Sequence, residues 1–145
     1  MYKLFAPAYF DNRISTALLF LRIIAGAGMM FHGWKKIQNP MGWMGADSGT
    51  PAIFQALAAI AEFGGGAALI IGLLTPLAAF GIAATMVVAA SKHIGKGDPF
   101  FGKGGSWELA AIYFGIAFLL MLTGAGKFSL DWLLFKRKEN IELYK

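Results

Sequence analysis

The sequence predicts an all-α integral membrane protein: a four-transmembrane-helix bundle of up-down topology with a short C-terminal interfacial helix. Hydrophobic residues make up 57% of the 145-residue chain and charged residues only 14%, where soluble domains carry about 25% charged residues. Mean hydropathy is +0.60. The apolar residues also gather in four runs, each near the length that crosses a hydrocarbon core about 30 Å thick.

Residues 1–13 read as a cytoplasmic N-terminal segment, 14–126 as the membrane domain and 127–145 as an interfacial helix with a basic tail. The first run, 14–34, contains ALLFLRIIAGAGMMFHG. It is long, carries Arg22 and leads into HGWKK instead of a small-residue cleavage site, so it reads as a membrane helix and not as a signal peptide. The second run is AIFQALAAIAEFGGGAALIIGLL, 52–74, and the third PLAAFGIAATMVVAASK, 76–92. Only Thr75 and Pro76 mark the junction. Proline suits the first turn of a helix and ends the one before, which predicts a tight antiparallel hairpin. The fourth run is SWELAAIYFGIAFLLMLTG, 106–124. The connections 35–51 and 93–106 are rich in glycine yet carry bulky apolar residues, which is unlike plain solvated loop. After Gly126 comes KFSLDWLLFKRK. Ser129 can cap a short helix with Asp131 in its first turn. Trp132 and Phe135 then sit at the interface, and the KRK run meets anionic headgroups.

The net charge is +5, but the Lys and Arg residues lie almost entirely outside the apolar runs or at their ends, the pattern of membrane topology and not of a nucleic-acid patch. An even number of spans puts both termini on one side. Lys3, Arg13, Lys127, Lys136, Arg137, Lys138 and Lys145 share that side, against Lys35, Lys36, Lys92, Lys96 and Lys103 on the other. The positive-inside rule then favours cytoplasmic termini. The chain has no cysteine, which excludes a disulfide framework, thiolate-ligated iron–sulfur clusters and covalent c-type haem. AGAG and AEFGGGAALIIG supply small residues for close helix packing: Arg22, Gly26, Met29 and Gly33, at 4-3-4 spacing, share one face of the first helix, and Glu62, Gly65, Gly66, Leu69 and Gly72 one face of the second. GAGKF lacks the first glycine and the Ser/Thr of a phosphate loop.

The ionisable residues within or at the ends of the spans are Arg22, His32, Glu62, His93 and Glu108. A charge at the centre of a membrane helix costs about 2.5–3.5 kcal/mol, so each should face the bundle interior and find a partner. Depth along the two helices predicts an Arg22–Glu62 ion pair. His32, His93 and Glu108 should form a second layer at the outer mouth, beside Lys35 and Lys36. Such an arrangement suits a proton or anion path, or the headgroup of a membrane quinone. Glu62, Glu108 and His32 are the catalytic candidates; Arg22, His93 and Lys36 are the cofactor-binding ones. The plainer readings stay open: a pair that sets helix register, and histidines bonded to loop carbonyls. Two histidines and one or two glutamates on separate helices do not make a metal set.

LRIIAGAGMMFHGWKKI, AEFGGGAALIIGLLTPLAA, WELAAIYF and GAGKFSLD, in this order and spacing, resemble the DoxX family of small bacterial and archaeal membrane proteins across residues 14–133. The resemblance implies a four-helix membrane protein of a bacterial or archaeal cytoplasmic membrane. Some relatives are linked to thiosulfate:quinone oxidation, and others associate with partner proteins in handling oxidative stress and thiols. Arg22, His32, Gly33, Lys36, Glu62, Glu108, Ser129 and Asp131 match the family's recurrent polar positions, with no catalytic assignment to carry over. The lack of cysteine argues against sulfur transfer through a protein thiol.

Three functions are compatible with these residues. One is a quinone-linked oxidoreductase subunit working with a soluble or membrane redox partner. Another is a non-enzymatic membrane anchor or assembly subunit for a redox or stress-response complex. The third is a small-solute or proton-coupled transporter, which with so few helices would act as a homo-oligomer. In each the bilayer is the first partner and nucleic acid is not one.

Overall fold

The computed structural model describes residues 8–135. The basic tail and its expected headgroup contacts through Lys136, Arg137 and Lys138 lie outside the described residues, as does Lys3. The described residues are all helical or irregular, with no strand. The helices are α1, Asn12–Gln38; α2, Ala52–Ile71; α3, Thr75–Gly95; α4, Glu108–Thr123; and α5, Leu130–Phe135. A single 3₁₀ turn, Ala46–Ser48, interrupts the loop between α1 and α2.

The Asp11 carboxylate starts α1 by accepting the Ile14 N–H at 2.8 Å. Lys35 and Lys36 lie in its last turn, where the helix dipole favours cations. α1, α2 and α3 are each long and apolar enough to cross a membrane. α4 is apolar but has 16 residues, about 24 Å. It begins later than the apolar run because Trp107 turns into the preceding loop. The Trp107 ring meets Phe100 edge-on at 4.6 Å, and the Glu108 N–H donates to the Phe100 carbonyl at 3.0 Å.

α1 and α2 run antiparallel with their backbones in contact. A Cβ on Gly66 would lie 2.6 Å from the Gly26 carbonyl oxygen, and one on Gly33 would lie 2.6 Å from Phe63 N. Only glycine permits this approach. Arg22, Gly26, Met29 and Gly33 on α1, and Glu62, Gly65, Gly66 and Leu69 on α2, are buried as the expected small-residue stripes. α3 packs along α4, and Leu69, Ala79, Ile82, Met86, Ala117 and Leu120 belong to one apolar core. The outward faces carry Phe20, Ile24, Phe31, Phe80 and Leu122, all more than half exposed. An apolar exterior of this kind suits lipid and not water.

Two departures from regular helix position the polar residues. Within α2, residues Ile60–Gly64 are π-helical, a widening that accommodates one extra residue in the turn. Glu62 sits at its middle. The hairpin turn then occupies residues 72–74, slightly ahead of the Thr75 and Pro76 expected. Gly72 (φ +68°) ends α2 in a Schellman motif, with the Leu73 N–H donating to the Ala68 carbonyl at 2.9 Å. Leu74 also takes a left-handed conformation (φ +47°), which strains a residue with a Cβ and needs support from its surroundings.

Candidate functional site

Two polar clusters lie at opposite ends of α1, about 21 Å apart by the rise from Arg22 to Lys36. At the hairpin end, fully buried Arg22 donates to the Leu69 carbonyl at 3.3 Å and to the Phe128 carbonyl. Fully buried Asp131 accepts the N–H groups of Leu74 at 2.6 Å and Thr75 at 2.8 Å. It therefore caps α3 from a remote segment and supports the strained Leu74. The Asp131 N–H donates to the Gly72 carbonyl at 2.8 Å. Ser129 accepts the Trp132 N–H at 3.1 Å, as expected of the cap of α5, and the Lys127 N–H donates to the Ser15 hydroxyl at 3.3 Å. This end is a latch joining the GAGKFSLD segment to α1 and to the hairpin turn.

The expected Arg22–Glu62 pair does not form. In the α1–α2 register Gly33 faces Glu62, so Arg22 is about eleven residues, roughly 16 Å, farther along α1, beyond its side chain's reach. Depth counted from the ends of the apolar runs erred because α1 overhangs the hairpin turn, where the C-terminal segment covers it. Glu62 pairs instead with Lys36, whose Nζ lies 2.6 Å from Oε1. The Lys36 ammonium also sits 4.5 Å from the centre of the Trp43 ring, a cation–π contact that helps desolvate it. Trp43 is held in turn by its indole N–H on the Gln55 carbonyl at 3.0 Å, and the Gln55 side chain accepts the Met44 N–H at 3.1 Å. The 39–51 loop thus roofs this end.

Glu62 is only 2% exposed, and its Oε2 has no hydrogen-bond partner among the described residues. Two cavities meet at it. A groove of about 1010 Å³ runs between α2 and α3, lined by apolar side chains such as Leu57, Ala61, Leu77 and Val88. Its ionisable residues, Lys36, Glu62, Lys92, His93 and Lys96, gather toward the loop end. A second cavity, of about 190 Å³, is lined by His32, Lys36, Glu62, His93, Ser106 and Tyr113, among others. His93 Nδ1 lies 2.7 Å from Asp98 Oδ2, and the exposed His32 ring meets Tyr113 edge-on at 6.1 Å.

The family model described as DoxX matches residues 17–94, more than half of the chain. The chain belongs to the DoxX family. It is also 32% identical over 123 residues to an uncharacterised protein of Haemophilus influenzae, an alignment covering 83% of this chain and 92% of that relative. No solved structure matches it. Family and apolar helices together make this an integral membrane protein.

Of the residues singled out in this DoxX protein, His32, Lys36, Glu62 and His93 are brought together around the two cavities. Arg22 is at the other end, and Glu108 lines neither cavity. Sequence reading missed Trp43, Gln55, Asp98, Ser106 and Tyr113. Gln55 had a signal, as an amide inside an otherwise apolar run. Asp98 had one too, standing five residues after His93. Tyr113 had none: its hydroxyl occupies the space beside Gly28 that a Cβ would fill, and that pairing is a product of tertiary packing.

Proposed function

We propose that this DoxX membrane protein is a quinone-linked oxidoreductase subunit. The quinone would take the α2–α3 groove, its isoprenoid chain along Leu57, Ala61, Leu77 and Val88 and its headgroup at the Lys36–Glu62 pair. One observation carries the reading: a groove of about 1010 Å³, apolar along its length, ends at a buried carboxylate and an ammonium. That is the layout of an amphipathic ligand site, mostly apolar with a few convergent polar groups. Quinone reduction consumes two electrons and two protons per ring; the electrons would come from a separate partner protein. In the site, Lys36 would donate a hydrogen bond to a ring carbonyl oxygen. Glu62 would hold a proton within reach, a role that suits an intramembrane acid. His32 and His93 would serve proton exchange. Arg22 takes no part in this site, and Glu108 takes none through either cavity.

The four apolar helices would then be four spans, with both termini cytoplasmic and the roofed Glu62 end facing outward. The experiment is mass spectrometry of lipids co-purified with the full-length protein, followed by titration with decylubiquinone. Quinone enriched over bulk lipid, and lost on filling the groove with Ala84→Phe, is the expected result. No enrichment and no saturable binding would overturn it.

A second reading, a membrane anchor for a redox or stress-response complex, is supported by α5. Its Leu133 and Leu134 are 66% and 63% exposed beside the latch. That reading predicts that Leu133→Ser combined with Leu134→Ser loses the partner while quinone binding persists.

A further inference from the structure

We infer that the 190 Å³ cavity is a hydrated proton inlet to Glu62, entered past the His93–Asp98 pair and separate from the lipid-side groove. The inference rests on Glu62 being the proton-holding group of the proposed site.

Four observations converge on it. Lys36 occupies Oε1 of Glu62, whereas Oε2 is buried without a donor among the described residues. A buried carboxylate oxygen facing a cavity with polar groups in its wall is a site for water. The cavity has the means: at about 190 Å³ it exceeds the room one water needs, and His32, Ser106 and Tyr113 add polar groups to its wall. Lys36, Glu62 and His93 line this cavity and the groove alike, so Glu62 stands at the boundary between the two. Lastly, His93 is fixed at the rim. Its Nδ1 is engaged by Asp98 at 2.7 Å, both side chains are partly exposed, and the Asp98 N–H donates to the His93 carbonyl at 3.0 Å. Gly105 packs against the Asp98 carboxylate where a Cβ would overlap it. A histidine held through one nitrogen has the other, Nε2, for proton exchange, and His93 lines the cavity. A metal is the poorer occupant, because no group of three His, Asp, Glu or Cys side chains placed to hold one exists among the described residues.

The step balances without electrons. A proton leaves Nε2 of the His93 imidazolium, crosses the water chain and bonds to Oε2 of Glu62. The lone pair left on Nε2 takes a proton from solvent at the rim. The titratable groups around Glu62 are His32 and Lys36 from α1, Lys92, His93 and Lys96 from α3, and Tyr113 from α4. Once Glu62 is neutral, Lys36 loses its ion pair but keeps its place over Trp43 and its 24% exposure to solvent.

The test uses full-length protein in phosphatidylcholine nanodiscs and a downward pH jump. Proton arrival is read as growth of the protonated-carboxyl infrared band that Glu62→Gln removes. His93→Gly should slow arrival about tenfold or more, and added imidazole should restore it, a rescue that a purely structural role for His93 would not allow. Asp98→Asn should slow it less. Ala84→Phe should lose decylubiquinone binding and keep the wild-type arrival rate. Wild-type arrival in His93→Gly, or arrival slowed in Ala84→Phe as much as in His93→Gly, would overturn the inlet. Absence of decylubiquinone binding alongside the His93 dependence would refute the quinone and uphold the inlet.

Discussion

The two ends of α1 hold buried charge in opposite ways. At the hairpin end, Arg22 and Asp131 are directed at backbone carbonyls and amides of segments distant in sequence, and neither of the two cavities reaches Arg22. At the loop end, Glu62 has one partner, one unpaired oxygen and two cavities against it. A buried charge wired to the backbone holds the fold together, whereas one facing space is available for exchange. Residue type alone does not distinguish the two. Both ends bury an acid or a base with its opposite nearby, and the difference lies in what surrounds them.

The contrast can be broken most severely at Asp131. Asp131→Ala removes two bonds from an ionised acceptor, each worth about 1.5–3 kcal/mol, and leaves Leu74 in its strained conformation without support. A loss of about 3 kcal/mol or more is expected in reversible detergent unfolding followed by tryptophan fluorescence. Glu62→Gln should do the reverse. Quinone-linked turnover should fall about 100-fold, the low end for loss of a general acid–base group, while unfolding stability stays within about 1 kcal/mol because the amide oxygen can still accept from Lys36, which keeps its place over Trp43. Should Glu62→Gln unfold the protein and keep its turnover, the two ends have been assigned the wrong way round.

Gly66→Ala tests the seam between the ends. Its Cβ would meet the Gly26 carbonyl at 2.6 Å, and overpacking of this kind costs about 1–3 kcal/mol. The same unfolding assay reads it, and turnover should fall only in proportion to folded protein. The smallest effect belongs to Glu108→Gln, within about 0.5 kcal/mol in stability and with wild-type turnover, since Glu108 lines neither cavity. A turnover defect there would extend the site into the 96–107 loop.

The helices were legible in the sequence because apolar runs of bilayer length leave little choice, and Pro76 marked the hairpin. The glycine stripes were legible too, since 4-3-4 spacing places Arg22, Gly26, Met29 and Gly33 on one face whatever lies opposite. What lies opposite was not legible. Antiparallel register depends on where two backbones touch, at Gly26 with Gly66 and at Gly33 with Phe63, and no run length encodes it. An error of a few residues at each helix end was enough to give Glu62 the wrong partner. The membership of the mouth was half legible. His32 and His93 were placed by their positions at helix ends, while Glu108, read by the same logic, is held by its backbone to Phe100 and lines neither cavity.

The π-helical turn in α2 carries a further consequence, one of angular phase. Each residue of an α-helix advances the azimuth by about 100°. Winding all of Ile60–Gly64 as regular α-helix, with no residue removed, would rotate the remainder of α2 by about that angle. Glu62 could then keep its bearing toward Lys36 only if Gly65, Gly66 and Leu69 swung away from α1. The wide turn acts as a phase shifter: it lets one helix aim a carboxylate at the cavities and a glycine face at its neighbour, two bearings that regular winding would not reconcile.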